Sequence, residues 1–390
     1  MVNYKYLIVG GGMTADAAIR GIRDVDPDGS IGIIGKDQNP PYNRPPLSKA
    51  LWKGKALDSI WRKTQEFSVD LHLGRTAGAI DLGKKVVRDD QGVDFQYEKL
   101  LLATGGTPRK LPFISEGIIY YRTLDDYQHL REMTNRAERF GVIGGGFIGS
   151  EITAALTMNG KKVTMLFPDA GIGASVYPPE LSDYLTSFFR QKGVDVLSGV
   201  RVQGLKEQNG SYALITDRGE EILVDGVIAG IGIQPNVELA QATGLKVSNG
   251  IVVDDTLHTS QPDIFAAGDV AEFSNPALGK RLRIEHEDNA NSMGRQAGRN
   301  MAGANEPYHH LSFFYSDLFE LGYEAVGELD PRLETFADWK EKFKKGVVYY
   351  LAGGRVRGVL LWNVWDSVPK ARALIAEPGP FTAADLKGRL

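Results

Sequence analysis

Short apolar runs alternate with amphipathic segments along most of this chain. Residues 4–9 form an apolar run, 14–25 carry apolar residues at helical spacing, and 30–34 are apolar again. This order predicts strand, helix and strand, and it returns with a strand at 139–143, a helix at 149–159 and a strand at 161–167. Strands that alternate with helices are typical of parallel sheets, so the pattern predicts an α/β fold.

The pattern changes after about residue 304. Aromatic-rich segments of period two, such as 347–351 and 359–362, flank Gly353-Gly354. Alternation with turn residues between the runs predicts a small α+β C-terminal domain with an antiparallel sheet. Thr382 and Asp385 have the spacing of a capping box, which predicts a short terminal helix.

A glycine-rich fingerprint occurs at both strand-to-helix junctions. Each copy fits G-x-G-x-x-G/A, in which glycines let the backbone turn tightly beside a pyrophosphate and a small third residue lets the helix pack on the strand. The small residues are Gly10, Gly12 and Ala15 in the first copy and Gly144, Gly146 and Gly149 in the second. Two copies in this context predict two bound dinucleotides.

The two nucleotide-binding units are predicted to be nested. An apolar segment ends at Gly268-Asp269, beyond the second fingerprint, yet its carboxylate makes most sense beside the first. The fold prediction is therefore two nested Rossmann-like domains and the C-terminal domain. The predicted boundaries are 1–112 with 235–303 for the first domain, 113–234 for the second and 304–390 for the third.

Composition narrows the chemistry. The 390 residues contain no cysteine, which excludes a redox-active disulfide, a sulfenic acid and thiolate metal sites. The net charge of −4 gives no basic field for nucleic acid, and six scattered histidines predict no metal site. No apolar run approaches the roughly 18 residues of a membrane span, and the N-terminus resembles no signal peptide. We expect a cytoplasmic protein, either monomer or homodimer.

Three regions carry a family resemblance. Residues 41–52, 147–151 with 166–169, and 308–317 with 322–327 and 359–363 resemble pyridine-nucleotide-dependent flavoprotein reductases of the glutathione reductase structural class. Within that class the chain most resembles apoptosis-inducing factor and its bacterial relatives, and next the ferredoxin reductases of oxygenase systems. We expect it to lack the leader, membrane segment and acidic insertion of the animal protein, so no role in cell death is carried over.

The resemblance implies FAD in the first nucleotide site. Asp269 would accept a hydrogen bond from the ribityl chain, and Lys49, held by Glu151, would stabilise negative charge on the reduced flavin. Glu151 also has a plainer reading, an acid favoured in the first turn of a helix. Phe314 and Tyr315 would either cover the flavin or form hairpin core. The further residues assigned to the FAD side are Arg44, Thr104, Gly105, Glu285 and His286, and His286 is grouped with Lys49 and Glu151 as catalytic.

The adenosine ribose of FAD is an open question. The family usually has an acid after the second strand, whereas this chain has Lys36 followed by Asp37. A lysine cannot accept the ribose hydrogen bonds. Either Asp37 takes that role, which we prefer, or water and backbone hold the ribose.

The second site is predicted to take NAD(H) in preference to NADP(H). Residues 167–173 contain Asp169 and no basic side chain to hold a 2′-phosphate. The alternative for Asp169 is an ordinary solvated aspartate of a loop. Phe147 is expected either to gate the flavin or to pack at the helix start. Ile148, Glu151 and Gly232 complete the residues assigned to the NAD side.

These assignments predict an FAD-dependent NADH oxidoreductase in which a hydride passes to the flavin and electrons leave to an external acceptor. The acceptor would be a ferredoxin, a rubredoxin or a quinone-like molecule. Basic residues available to an acidic ferredoxin are Lys340, Lys342, Lys344, Lys345, Arg355 and Arg357, although such a run is more often a solvated face. The alternative is an NADH-sensing flavoprotein whose persistent charge-transfer complex controls dimerisation or partner binding.

Overall fold

A computed structural model describes residues 2–113, 116–208 and 210–390. Its β-strands, in chain order, are β1 (Val2–Val9), β2 (Ile31–Gly35), β3 (Asp70–Leu73), β4 (Ala77–Asp81), β5 (Val86–Asp89), β6 (Asp94–Leu102), β7 (Gly106–Pro108), β8 (Ile118–Tyr120), β9 (Arg139–Ile143), β10 (Lys162–Phe167), β11 (Asp195–Ser198), β12 (Val202–Gln208), β13 (Ser211–Thr216), β14 (Glu221–Val224), β15 (Gly226–Ala229), β16 (Ile233–Pro235), β17 (Ile251–Val252), β18 (Ile264–Ala266), β19 (Ala271–Asn275), β20 (Lys280–Leu282), β21 (Phe313–Leu318), β22 (Leu321–Gly327), β23 (Glu334–Glu341), β24 (Lys345–Ala352) and β25 (Arg355–Trp362).

The α-helices are α1 (Met13–Arg23), α2 (Leu124–Thr134), α3 (Phe147–Met158), α4 (Pro179–Gln191), α5 (Glu238–Ala242), α6 (Glu287–Met301), α7 (Val368–Ala376) and α8 (Ala383–Leu386). Two 3-10 helices, Pro45–Ser48 and Ala50–Lys53, flank Lys49. The predicted capping box is present at α8, where the Asp385 carboxylate accepts from the Thr382 backbone N–H at 2.8 Å.

The chain divides into two compact units. The first consists of Met1–Asn43, Asp58–Thr107 and Gln234–Phe313, and the second of Arg44–Leu57, Pro108–Ile233 and Phe314–Leu390. Each unit is therefore discontinuous in sequence. The three domains and their boundaries stay a prediction, because a division into two units does not test them.

The first unit is built on one sheet with the order β3-β2-β1-β6-β5-β4, and β18 also pairs with β6. β1 lies parallel to β2 and to β6, as expected for a strand followed by a crossover helix. β18 pairs in parallel with the end of β6, Ala266 opposite Leu102. The segment before Asp269 therefore joins the sheet of the first fingerprint, although the second fingerprint lies between them in the chain.

Helix α6 also returns to this unit and packs against α1 at very short range. A Cβ atom on Gly298 would lie 1.9 Å from the Ala18 carbonyl oxygen, so no side chain fits there. The backbone contact fixes α6 beside the helix that carries the first fingerprint.

A buried carboxylate secures the point at which the chain leaves the first unit. Asp16 in α1 has a fully buried side chain and accepts hydrogen bonds from Arg62 at 2.7 Å and Thr64 at 2.7 Å. Burial alone would raise its pKa, but the Arg20 hydrogen bond and the Arg62 charge outweigh burial and hold the pKa below its ordinary value. Arg62 also donates to the Asn43 side chain at 2.7 Å, which ties together both ends of segment 44–57.

The second unit contains a parallel sheet with the order β11-β10-β9-β15-β8 and a hairpin sheet of β12, β13 and β14. It also contains a C-terminal sheet with the order β21-β22-β25-β24-β23, in which β22, β25, β24 and β23 pair antiparallel. Buried aromatic side chains fill this sheet, among them Tyr323, Tyr349 and Trp362. The predicted fold class is confirmed.

Candidate functional site

The first fingerprint forms the turn between β1 and α1. Gly10 has φ +122°, and a Cβ atom there would lie 2.1 Å from the Ala103 carbonyl oxygen, so the turn requires glycine. Gly12 has extended backbone, and apart from its chain neighbours no atom of the described residues lies within 4 Å of a Cβ placed on it. Ala15 is fully buried. The protein itself therefore explains Gly10 and Ala15 but not Gly12.

The second fingerprint repeats this geometry between β9 and α3. Gly144 has φ +124°, and a Cβ atom on it would lie 2.3 Å from the Gly230 carbonyl oxygen. A Cβ atom on Gly149 would lie 2.0 Å from the Gly144 carbonyl oxygen, whereas one on Gly146 meets no described atom within 4 Å. The chain thus folds the same turn twice.

Both turns fit a dinucleotide phosphate. Gly12 and Gly146 are the N-caps of α1 and α3, and a glycine offers no side chain to the N–H groups of the first helical turn. The space beside each glycine is free of protein, which is what close approach of a pyrophosphate needs. Each cradle therefore suits the pyrophosphate of a dinucleotide, and the assignment of FAD to the first turn and NAD(H) to the second stays a prediction.

Asp37 lies just after β2 and helps to form the loop that follows. One carboxylate oxygen accepts from the Asn39 backbone at 2.9 Å and from the Asn39 side-chain amide at 3.0 Å, and the other accepts from the Tyr42 hydroxyl at 3.0 Å. A carboxylate has about four acceptor positions, so Asp37 retains capacity for a ribose. Lys36 is exposed. Which group holds the adenosine ribose stays a prediction.

Other predicted FAD residues gather at the ends of β6 and β18. Thr104 donates to the Asn236 carbonyl at 2.7 Å, and the Asn236 amide donates back to the Thr104 carbonyl at 2.8 Å. Gly105 has φ +64°, and Asp269 follows Gly268, which has φ +77°. Asn236 is a residue that the sequence analysis missed, since no motif marks it.

The segment before α6 holds the remaining predicted residues of the first unit. Glu285 pairs with Arg283 at 2.7 Å, and His286 is the N-cap of α6. Burial lowers the pKa of His286 to about 4, although Asp269 and Asp288 oppose the shift. His286 is therefore a neutral imidazole at neutral pH.

The Lys49–Glu151 pair in the second unit is buried and held by several hydrogen bonds. The Lys49 ammonium lies 2.7 Å from Glu151 Oε2, with the lysine side chain 10% and the glutamate side chain 3% exposed. Ser48 donates to the same oxygen at 2.5 Å, and Ser316 donates to Oε1 at 2.7 Å. The sequence analysis paired the two charged residues but gave no role to either serine.

The position of Glu151 in its helix corrects one expectation. α3 begins at Phe147, two residues before the predicted start, so Glu151 lies beyond the first turn and that turn contains no acid. The reading of Glu151 as an acid placed in the first turn is therefore wrong. Its buried contacts with Lys49 and the serines account for its position.

Aromatic residues of β21 contact Lys49 of this pair and the start of α3. The Phe314 ring lies 5.1 Å from the Phe147 ring and 5.9 Å from that of Tyr323. The Tyr315 ring lies 5.2 Å from the Lys49 ammonium, within cation–π range. Phe147 and Ile148 are about a third exposed, at 37% and 36%. Phe147 therefore both packs on Phe314 and keeps an open face.

Asp169, Gly232 and Arg44 complete the predicted set. Asp169 is exposed, and its carbonyl accepts from the Gly199 N–H at 3.0 Å. The Arg218 guanidinium donates to the Gly199 carbonyl at 3.1 Å, so a basic group from outside residues 167–173 approaches the Asp169 loop. Gly232 has φ +89°, and its carbonyl accepts from the Arg109 N–H at 2.9 Å. Arg44 is the N-cap of the 3-10 helix that precedes Lys49.

Two searches cover the described residues. No group of three or more His, Cys, Asp or Glu side chains is placed there to hold a metal ion. None of the helices in the same ranges is long and apolar enough to cross a bilayer.

Comparison with known proteins assigns the chain to a family. Residues 4–294 match the model described as pyridine nucleotide-disulphide oxidoreductase. The chain belongs to that family. Residues 297–341 and 337–377 match the model of the mitochondrion-associated C-terminal region of apoptosis-inducing factor. The predicted resemblance, the oxidoreductase class and the cofactors FAD and NAD(H) are confirmed. Because this member has no cysteine, the disulphide chemistry of the family name is absent from it.

Individual relatives extend over nearly the whole chain. The ferredoxin–NAD(+) reductase component of an anthranilate 1,2-dioxygenase system from Burkholderia cepacia is 34% identical over 97% of each chain. The mitochondrial apoptosis-inducing factor 1 of Dictyostelium discoideum is 34% identical over 95% of this chain and 78% of its own. The structure of a covalent putidaredoxin reductase–putidaredoxin complex matches with a TM-score of 0.90 and 32% identity, over 97% of this chain and 94% of the other.

Gly12 and Gly146, whose added Cβ atoms would meet no described atom, allow each nucleotide site to be tested separately. We expect Gly12→Ala to fold normally but to purify with little FAD, because an alanine there meets the ligand and not the protein. Gly146→Ala should retain FAD and raise the Kd for NADH by roughly tenfold or more. The measurements are flavin absorbance, NADH titration and thermal unfolding.

Gly83→Ala is the matched control for this test, since its added Cβ atom would make an ordinary 3.5 Å contact with Asp81. That variant should change neither ligand. Full FAD occupancy in Gly12→Ala, or NADH affinity unchanged in Gly146→Ala, would contradict the assignment of the corresponding turn.

Proposed function

We propose that this protein is an NADH-dependent, FAD-containing reductase that passes electrons to a small one-electron carrier such as a ferredoxin or rubredoxin. The observation that carries the proposal is the match over nearly the full length of both chains to a ferredoxin reductase component and to a reductase seen with its redox partner. The absence of cysteine supports it, because electrons cannot pass through a thiol pair of this chain.

The residues of this chain bind the two cofactors and orient them. Gly12 and Gly146 open the helix N-termini to phosphates, and Asp269 is assigned the ribityl chain. When bound, FAD takes a hydride from NADH and can return the electrons one at a time. Lys49 contributes a positive charge, which favours the reduced flavin, and Glu151 holds that charge in a fixed position.

The predicted basic face gives this proposal little support. Lys342 pairs with Glu180 at 3.5 Å, Lys344 pairs with Glu341 at 2.6 Å, and Arg357 pairs with Glu328 at 2.9 Å. These acids offset much of the positive charge that would attract an acidic ferredoxin. The docking surface therefore stays unassigned, as do the cytoplasmic location and the oligomeric state.

The acceptor is tested by rapid mixing in two stages. The protein is first reduced by NADH without oxygen and then mixed with oxidised ferredoxin, rubredoxin or a benzoquinone while flavin absorbance is followed. We expect reoxidation by an iron–sulfur protein faster than about 1 s⁻¹, within the range of working enzymes. If none of the three acceptors reoxidises the flavin and the reduced flavin persists in air for minutes, the proposed reductase function is contradicted. It would favour the alternative, an NADH-sensing flavoprotein whose reduced complex persists.

The nicotinamide preference is tested at Asp169. We expect kcat/KM to favour NADH over NADPH, because the exposed carboxylate repels a 2′-phosphate and accepts from a 2′-hydroxyl. Asp169→Asn should narrow the ratio. Arg218→Ala is the companion variant, and it should lower only the rate with NADPH if that guanidinium reaches the phosphate. A wild-type ratio in favour of NADPH would contradict the assignment.

The role of Lys49 has a definite electrical sign. Unit charges about 4 Å apart interact by roughly 4 kcal/mol at an effective dielectric constant near 20, and we expect a fraction of that. Lys49→Ala should lower the two-electron potential of the flavin and slow its reduction by NADH. Lys53→Ala is the control, because Lys53 is exposed and pairs with Asp317 at 3.2 Å. If both variants keep the wild-type potential and rate, the Lys49–Glu151 pair is only structural.

A further inference from the structure

Three consecutive residues of β21 contact, in turn, Phe147, Lys49 and Glu151. Phe314 packs on Phe147, Tyr315 faces the Lys49 ammonium, and the Ser316 hydroxyl donates to Glu151. All of these residues belong to the second unit. A strand of the C-terminal sheet is therefore part of the surroundings of the lysine.

The register of strand and helix explains two of these contacts, those that Phe314 and Ser316 make with α3. Phe314 and Ser316 are two residues apart and point to the same face of β21, whereas Tyr315 points to the other. Phe147 and Glu151 are four residues apart and share one face of α3. β21 and α3 therefore contact each other at two points, Phe314 against Phe147 and Ser316 against Glu151.

The hydrogen bonds of Glu151 divide between its two oxygens. Oε2 accepts from Lys49 at 2.7 Å and from Ser48 at 2.5 Å, while Oε1 accepts from Ser316 at 2.7 Å. The carboxylate is 3% exposed, so water is a poor substitute for a lost donor. Ser316 therefore determines what Oε1 does.

We propose that Ser316 is a positioning residue for Lys49: its hydroxyl satisfies Glu151 Oε1, so that the ammonium stays on Oε2 and beside the Tyr315 ring. Ser316 touches neither the ammonium nor a reacting atom. The inference rests on the proposed action of Lys49 on the flavin, and it adds the C-terminal strand to the parts that set this action.

Removal of the hydroxyl has a predictable result. Oε1 would be buried without its donor, and the Lys49 ammonium, already 2.7 Å from Oε2, would move to serve both oxygens. That movement would take the ammonium from its place beside Tyr315. Ser316→Ala should therefore resemble a weak form of Lys49→Ala.

The test measures the reaction with NADH alone, so it does not depend on the electron acceptor. In Ser316→Ala we expect a lower flavin potential and about tenfold slower flavin reduction, of the order expected for one charge-assisted hydrogen bond. The Kd for NADH should change less than twofold. Ser316→Thr keeps the hydroxyl and should restore both quantities. A wild-type potential and rate in Ser316→Ala would overturn the proposal.

A double variant separates positioning from general damage. If Ser316 acts through Glu151, then adding Ser316→Ala to Glu151→Gln should change potential and rate less than twofold further. An equal loss in both backgrounds would show that the serine only supports the fold and would overturn the proposal. Thr134→Val is the control, because that buried hydroxyl donates to the Arg131 carbonyl at 2.6 Å within α2, away from the residues assigned to either ligand, and the variant should leave potential and rate unchanged.

Two further outcomes keep the test decisive. If Ser316→Ala does not retain FAD, Ser316→Gly takes its place, since glycine also lacks the hydroxyl and adds no atom; wild-type potential and rate in that variant would overturn the proposal. If the wild-type protein is reduced by NADH but serves no acceptor, the proposed function fails, whereas the Ser316 series can still be read from the potential and the reduction rate.

Discussion

The buried carboxylate of Glu151 is the constraint on which the candidate redox site depends. A charge that is 3% exposed needs a partner for each oxygen, and the chain supplies those partners from two distant segments. Lys49 and Ser48 come from segment 44–57, and Ser316 comes from β21. One unpaired charge would be expensive, so its satisfaction fixes a helix, a loop and a strand together.

The duplicated turns show how little of a nucleotide site has to be specified. Gly10 and Gly144 are required by the protein, because each has a positive φ and a Cβ atom on it would lie 2.1 or 2.3 Å from a carbonyl oxygen. Gly12 and Gly146 are required by nothing in the described protein. The two kinds of glycine therefore serve different purposes, one the fold and the other the ligand. This difference is what makes Gly12 and Gly146 useful probes of binding.

The sequence was most informative where the determinant is local. The two fingerprints, the capping box at α8 and the apolar strand before Asp269 depend on residues close in the chain, and the structure contains each. The hydroxyl of Ser316 could not be predicted, because its partner lies 165 residues away and a serine in a strand has no distinctive pattern. Arg218 was missed for the same reason. The basic residues were counted only along residues 167–173, whereas Arg218 reaches Gly199 from the hairpin of β13 and β14.

A paired lysine acts differently from a lone one. The Lys49 side chain is 10% exposed, and its ammonium lies 2.7 Å from Glu151 Oε2. The pair has no net charge, however, so what a neighbouring group experiences is the field of a dipole, which depends on direction as well as distance. A small rotation of the pair therefore changes the field at a neighbouring group even when both charges remain. The Ser48 and Ser316 hydroxyls, which hold the carboxylate, consequently help to set the direction of this field.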